Sequence, residues 1–256
     1  MTPKPPSEAS LIVGRNPVRE ALEREGARIE KVMVQQGGGR GLDAIRRAAS
    51  EVGVPVQYVP SKRLNQMAAG LNHQGVVAIA TPVAYHDVDE MLADVAPTLD
   101  EVRRHKPMLL LLDRIEDPYN FGAVVRTAVA AGVEGVIVPK RHMAPLNAAM
   151  IKASAGMAMR IPIARVDDLA EVVFQLKERG YWVVGTAEDG ETSVWDMDWD
   201  RPLVLVMGSE AKGLHRHVAE ACDYLVSIPM RGDAESLNVS VAAGILLFAA
   251  ARSREE

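Results

Sequence analysis

At 256 residues, 48% hydrophobic and 25% charged, the chain has the makeup of a globular protein with a sizeable core, which excludes disordered, fibrous and membrane-spanning classes. The length accommodates one large domain or two modest ones, and the patterning along the chain favours two. The net charge of −5 argues against a uniformly polyanion-binding surface, but it is unevenly spread: residues 1–85 hold 11 Lys+Arg against 7 Asp+Glu, and residues 86–256 hold 18 against 27.

Residues 1–9, rich in proline and polar side chains, read as a disordered leader, and with no apolar stretch before Leu11 a cytoplasmic protein is expected. Residues 10–82 alternate short helices and strands. Helical spacing covers 18–25 and 42–52, the latter with Leu42, Ile45, Ala48, Ala49 and Val52 on one face; strands fall at 31–35, 56–59 and 76–80. Residues 83–106 are polar, with Pro97, a basic end and one short helix over 88–95, and read as a connection. From 107 to 256, apolar runs at 108–112, 135–138, 181–185, 203–207 and 224–228 alternate with helices over 121–131, 147–155, 166–179, 214–220 and 238–251. That order predicts an open, helix-covered, mostly parallel α/β sheet.

Such sheets bind ligands where loops leave the carboxyl ends of their strands, and three loops there carry unusual polar content. The first, after 108–112, has Asn120 at a helix start and Arg126 six residues on, among Val124, Val125, Ala128 and Val129. An asparagine there can be an ordinary cap, but an arginine in so apolar a helix calls for a partner. The second, after 203–207, is Gly208-Ser209-Glu210-Ala211-Lys212-Gly213-Leu214, a tight turn whose glycines permit close backbone approach. It matches neither the phosphate loop ending in Gly-Lys-Ser/Thr nor Gly-x-Gly-x-x-Gly, so nucleotide hydrolysis and a dinucleotide-dependent oxidoreductase lose their main support. The third, after 224–228, runs from Pro229 and Met230 to Ser236-Leu237-Asn238-Val239-Ser240. Ser236 or Asn238 can cap the last helix, but the polar cluster at the head of so apolar a helix exceeds what a cap needs.

Other features have plainer readings. Cys222 cannot form an internal disulfide and, lacking partners at metal spacing, reads as a small buried apolar residue. His215 and His217, two apart on a predicted helix, point to different sides and suit no metal pair. The acidic run from Trp195 to Asp200 reads as a solvated loop, and 37–41, with four glycines, as a flexible one, with phosphate approach as the alternative. Arg15, Arg19, Arg46, Arg47, Lys62 and Arg63 follow the positive balance of the amino-terminal part.

Together the three loops resemble the motifs of the SpoU, or TrmH-like, RNA ribose methyltransferases: Asn-x-Gly-x-x-x-Arg, then Gly-Ser-Glu-x-x-Gly, then Ile-Pro-Met-x-Gly-x-x-x-Ser-Leu-Asn-Val-Ser-x-Ala. The resemblance covers about Lys106 to the end. It extends more weakly to the stretches 14–22 and 73–78, which look like the RNA-binding domain of the branch that methylates a guanosine in the peptidyl-transferase region of 23S rRNA. It implies an α/β fold with a substrate RNA-binding domain at 10–82, a linker at 83–106 and, at 107–256, a methyltransferase domain with a trefoil knot. It implies S-adenosylmethionine bound at Gly208, Ser209, Gly213, Ile228, Met230, Leu237 and Ser240, and catalytic roles for Asn120, Arg126, Glu210, Ser236 and Asn238. RNA contacts are implied at Arg15, Asn16, His73 and Gln74, as are a homodimer, a ribosomal RNA or assembly-precursor substrate, and no metal. A transfer RNA substrate, or a non-catalytic ribosome-associated RNA-binding protein, are the alternatives.

Arg126 matches the family residue proposed to activate the ribose hydroxyl, but a guanidinium stays protonated in proteins. Arg126 is therefore expected to grip the adjoining phosphate and the developing alkoxide, oriented by Asn120, while Glu210, Ser236 or a water takes the proton.

Overall fold

The computed structural model describes residues 10–38, 40–81, 83–210, 212–232 and 236–254, and the expected leader lies outside them. The chain divides into two compact units, residues 1–85 with 145–148 and residues 86–144 with 149–256.

The first unit runs β1 (Ser10–Val13), α1 (Arg15–Glu25), β2 (Ile29–Gln35), α2 (Asp43–Glu51), β3 (Val56–Val59), α3 (Ser61–Ala68) and β4 (Val76–Ala80). Its sheet has the order β1-β4-β2-β3, with β1 and β2 antiparallel to β4 and β3 parallel to β2. Strand alternation divides the core. Val32 and Val34 meet Val18 and Leu22 of α1 and Ile45 and Ala49 of α2 on one face, while Met33, Val59 and Val77 meet Leu64 of α3 on the other. Neither β1 nor α3 is among the elements the periodicity predicts.

The second unit contains α4 (Val88–Val95), α5 (Leu99–His105), β5 (Met108–Leu112), α6 (Pro118–Ala130), β6 (Gly135–Pro139), α7 (Ala148–Ala153), β7 (Ile163–Val166), α8 (Leu169–Glu178), β8 (Trp182–Thr186), β9 (Thr192–Ser193), β10 (Leu203–Met207), α9 (Arg216–Ala221), β11 (Tyr224–Ser227) and α10 (Val239–Arg252). Seven parallel strands lie in the order β7-β6-β5-β10-β8-β11-β9. Every residue of β5 and β10 is buried, as expected of central strands covered on both faces.

Three sequence expectations change here. From His86 onward the stretch read as a connection belongs to the second unit: His86 N donates to Ile163 O at 2.9 Å, and Met91, Leu92 and Val102 of α4 and α5 join the main core. Val166 ends β7 rather than starting a helix, because Asp168 caps α8 by accepting from Ala170 N at 2.8 Å. The acidic run keeps Asp196, Asp198 and Asp200 exposed, as expected of a loop, but it is anchored rather than free: Trp199 is buried and its indole N–H donates to Val194 O at 3.0 Å. The indole and the backbone carbonyl satisfy each other, which is what allows so large a ring to be buried. Among the described residues no helix is long and apolar enough to cross a membrane.

Candidate active site

Strands β5, β10, β8 and β11 are neighbours in the second sheet, so the loops at their carboxyl ends converge. The turn after β10 is the tightest. Ser209 N donates to Gly213 O at 3.1 Å and Gly213 N to Ser209 O at 2.8 Å, closing a small loop with Gly213 at φ +59°. A methyl group on Gly208 would stand 2.1 Å from the Gly213 carbonyl carbon, so position 208 admits no side chain.

The turn is held from β5. Asp113, buried at the strand end, accepts from His215 N at 2.5 Å, and Arg114, at φ +61°, lies with Nε 3.3 Å from Asp113 Oδ1 while its Nη2 donates to Gly213 O at 3.3 Å. Asp113 N also donates to Met207 O at 2.8 Å, so these two residues, absent from the sequence prediction, pin both ends of the Gly208 to Leu214 segment. Their signal was an Asp-Arg pair ending a run of four leucines.

A cleft of about 660 Å³ opens beside the turn. Gly208, Ser209, Glu210 and Gly213 line it from the β10 loop; Ile228, Met230, Ser236 and Leu237 line it from the β11 loop. A fourth stretch, Thr186 to Asp189 after β8, also lines it and was missed; the carboxyl-end rule that marked the other loops applies to it equally. A methyl on Gly190 would stand 2.6 Å from Val226 C, so the β8 and β11 loops touch through backbone. A second cavity of about 590 Å³ is lined by Arg114, Glu116, Asp117, Asn120, His142 and His215, and shares Ser209, Glu210, Lys212 and Val239 with the first.

Where the cavities meet, three predicted residues join. Asn238 caps α10, its Oδ1 accepting from Ser240 N at 2.9 Å and Ser240 Oγ at 2.6 Å, and its Nδ2 donates to Asn120 Oδ1 at 3.1 Å and Glu210 Oε2 at 3.3 Å. One asparagine from each of two loops and a carboxylate from the third thus share one network. Asn120 is not itself a cap; Asp117 caps α6 by accepting from Tyr119 N at 3.0 Å, and Asn120 lies in the first turn. Gly122 explains the spacing of the motif, since a methyl there would stand 2.5 Å from both Met150 O and Ala153 Cβ.

Two predicted residues stand apart from this arrangement. Ser240 does not line the cleft, because its hydroxyl turns back into the Asn238 cap. Arg126 is exposed, with no hydrogen bond or ion pair among the described residues, so neither the expected partner nor orientation by Asn120 is present. Six helical residues separate the two by about 9 Å of rise and about 120° around the axis, too far to share a contact.

In the first unit, Arg15 N donates to Gln74 Oε1 at 3.2 Å and its Nε to Gln74 O at 2.9 Å, while Asn16 is exposed beside it. His73 is buried. Gly75 N donates to its Nδ1 at 2.9 Å, so Nε2 carries the proton and donates to Asn65 Oδ1 at 2.9 Å. His73 therefore builds the turn that presents Gln74 and, through it, Arg15.

The plainer features also resolve. Cys222 is largely buried, its thiol donates to Val218 O at 3.2 Å, and burial pushes its pKa up to about 12, so it is no nucleophile. His215 and His217 lie side by side with ring centroids 5.3 Å apart, not on different sides, because His215 is the extended cap of α9 rather than part of the helix. Among the described residues no cluster of three or more His, Cys, Asp or Glu side chains could hold a metal ion.

A parallel α/β sheet with a backbone-built cleft and an Asn-Asn-Glu junction at its carboxyl edge defines a class of small-molecule-dependent enzyme. Residues 107–248 match the SpoU rRNA methylase family and residues 11–86 match the substrate-binding domain of RNA 2′-O ribose methyltransferases; the chain belongs to the SpoU methylase family. It is 40% identical over 244 residues, 95% of each chain, to a putative TrmH family tRNA/rRNA methyltransferase, YacO, of Bacillus subtilis. Among solved structures it is similar to an AdoMet-bound rRNA methyltransferase from Sinorhizobium meliloti, with TM-score 0.58 and 28% identity over 94% of this chain and 86% of that one. It is also similar to a TrmH/SpoU tRNA modifying enzyme of A. aeolicus, with TM-score 0.54 and 34% identity over 59% of this chain and 76% of that one.

Proposed function

We propose that this RNA methyltransferase transfers a methyl group from S-adenosylmethionine to the ribose 2′-hydroxyl of a guanosine in the peptidyl-transferase region of 23S rRNA, working as a cytoplasmic homodimer. The observation that carries the reading is the junction of Asn120, Glu210 and Asn238 between two adjoining cavities, one for a cofactor and one for a nucleotide.

The first cleft fits the cofactor. Its apolar side, from Leu214, Ile228, Leu237 and Leu246, suits a purine face, and Glu188, Asp189 and Glu210 suit cationic groups. When bound, S-adenosylmethionine supplies an electrophilic methyl on a sulfonium. Gly208 lets the turn close on Gly213 and so shapes the wall of the cleft, and Asp113 with Arg114 holds that turn in place before any ligand arrives. Glu210, held by the Asn238 amide, is placed to accept the ribose hydroxyl proton; this supports Glu210 over Ser236, whose side chain is exposed with no hydrogen bond among the described residues. Arg126, permanently charged and with no side-chain partner among the described residues, stands away from this junction and is available to an RNA phosphate.

Ribosomal RNA is favoured over transfer RNA by the extent of the likenesses: the rRNA enzyme of Sinorhizobium covers 94% of this chain, and the tRNA enzyme of A. aeolicus 59%. Dimer formation is supported by Tyr119 on α6 and Val241 and Phe248 on α10, all more than half exposed on helices that pack together. The expected knot is supported by the strand order, in which β10 inserts between β5 and the earlier-made β8. Mapping 2′-O-methyl marks on ribosomal and transfer RNA from cells with and without the gene tests the reading. One mark lost from 23S rRNA is expected; loss from transfer RNA alone would replace the substrate, and loss from neither would end the proposal.

A further inference from the structure

The rim of the first unit carries a group that methyl transfer does not use. Tyr58 stands on β3, the edge strand, in register with Val34 of β2, whose side chain is buried against α1 and α2. Equivalent positions on parallel neighbours face the same side, so the Tyr58 ring emerges at the open margin of the face that α1 and α2 cover. It is 52% exposed.

Arg46 of α2 covers the ring, with Cζ 5.4 Å from its centroid. The arginine is fixed from two further directions: Nη1 donates to Asp43 Oδ1 at 2.8 Å and Nη2 to Gly38 O at 3.4 Å. The glycine loop that holds Arg46 also reaches Arg15, since a methyl on Gly41 would stand 2.3 Å from Arg15 Nη1. Arg15 is held in turn by Gln74. Two hydrogen-bonded arginines, Arg15 of α1 and Arg46 of α2, therefore flank one loop, with the half-exposed tyrosine beside Arg46, in the part of the chain that carries the positive balance.

We propose that Tyr58, backed by Arg46, is a shelf on which an unpaired RNA base stacks, with Arg15, at the start of α1 and touched by the same loop, meeting the RNA backbone; the inference rests on the reading that the chain acts on RNA. An aromatic ring supported on one side by a planar cation offers the other side to a base, and stacking of this kind accepts any base because each has a π face. A fixed guanidinium keeps the ring from collapsing onto the sheet and lowers the entropy lost on binding. A comparable group in the second unit, Trp182 and Tyr224 with Arg201, lacks the charge setting: it lies in the net-negative part of the chain, where Asp196, Asp198 and Asp200 precede Arg201.

The test uses the full chain and a transcript of 23S rRNA carrying 4-thiouridine. Ultraviolet cross-linking and peptide mapping of the wild type should place an adduct on the peptide containing Tyr58. Tyr58→Ala should weaken binding about 5- to 100-fold with an unchanged salt slope, whereas Tyr58→Phe should bind within about 2-fold of wild type. Tyr58→Thr, which suits an edge strand, repeats the loss should the alanine variant unfold. Folded Tyr58→Thr that binds the transcript as tightly as wild type would overturn the shelf while leaving methyl transfer by the wild type standing. A wild type that methylates no RNA would remove the broader reading instead.

Discussion

Asn238 Nδ2 donates to Asn120 Oδ1 at 3.1 Å, joining residues 118 positions apart in the chain. The amide orientation follows from its surroundings: Ser240 N–H can only donate, so Asn238 Oδ1 must face it and the NH₂ must face Asn120 and Glu210. One side chain thus caps a helix and orders the reactive junction.

Those two roles can be separated. Asn238→Asp keeps a cap oxygen but sets a second carboxylate against Glu210, and Asn238→Ala loses both. The aspartate variant is expected to melt within about 2 °C of wild type and to lose methyl transfer. The alanine variant should lose activity and also melt about 2–4 °C lower, from roughly 1 kcal/mol of lost capping. Thermal denaturation beside a turnover assay checks both.

Gly208 and Gly213 serve the same turn for different reasons. A Cβ at 208 meets backbone at 2.1 Å, whereas a Cβ at 213 meets nothing within 4 Å and costs only the strain of φ +59°. Gly208→Ala should abolish S-adenosylmethionine binding in calorimetry. Gly213→Ala should bind it with a modest loss and unfold about 1–2 kcal/mol more easily.

Among the described residues the exposed Arg126 side chain makes no hydrogen bond or ion pair. Arg126→Ala should therefore leave the melting temperature and cofactor affinity unchanged, within about 0.5 kcal/mol, while lowering turnover at least about 100-fold. A fall in stability matching the fall in turnover would assign Arg126 to structure.

Tyr181 is buried, its hydroxyl has no hydrogen-bond partner among the described residues, and burial pushes its pKa up to about 12. The unfolded chain ionises this phenol near its ordinary value of 10 while the folded chain does not, so its contribution is complete below pH 10 and is lost as pH rises towards 12. Tyr181→Phe should be neutral or stabilising at pH 7, since it removes an unpaired buried hydroxyl. It should also flatten the alkaline fall in stability measured by denaturant unfolding.

The parallel sheet was legible because β5 and β10 are buried on both faces, which leaves an uninterrupted apolar run in the sequence. The three loops were legible because polar side chains and glycines cluster where such strands end. α5 escaped notice although Thr98 and Glu101 carry a capping signature, with Glu101 N donating to Thr98 Oγ1 at 3.2 Å; its polar composition hid a helix with Val102 as its buried anchor. β1 is a four-residue strand, and in α3 only Leu64 and Ala68 are buried, so neither shows a firm period. The exposure of Arg126 was not readable either, because apolar neighbours in sequence do not say which side of a helix the arginine occupies.

The structure of the protein with S-adenosylhomocysteine, the stable product of its cofactor, tests most directly whether backbone turns at neighbouring strand ends form the methyl donor's site. The ligand is expected in the cleft between the Gly208 to Leu214 turn and the Ile228 to Met230 loop, with its sulfur towards the junction of Asn120, Glu210 and Asn238. Ligand bound anywhere else, or in that cleft with its sulfur turned away from the junction, would contradict the assignment.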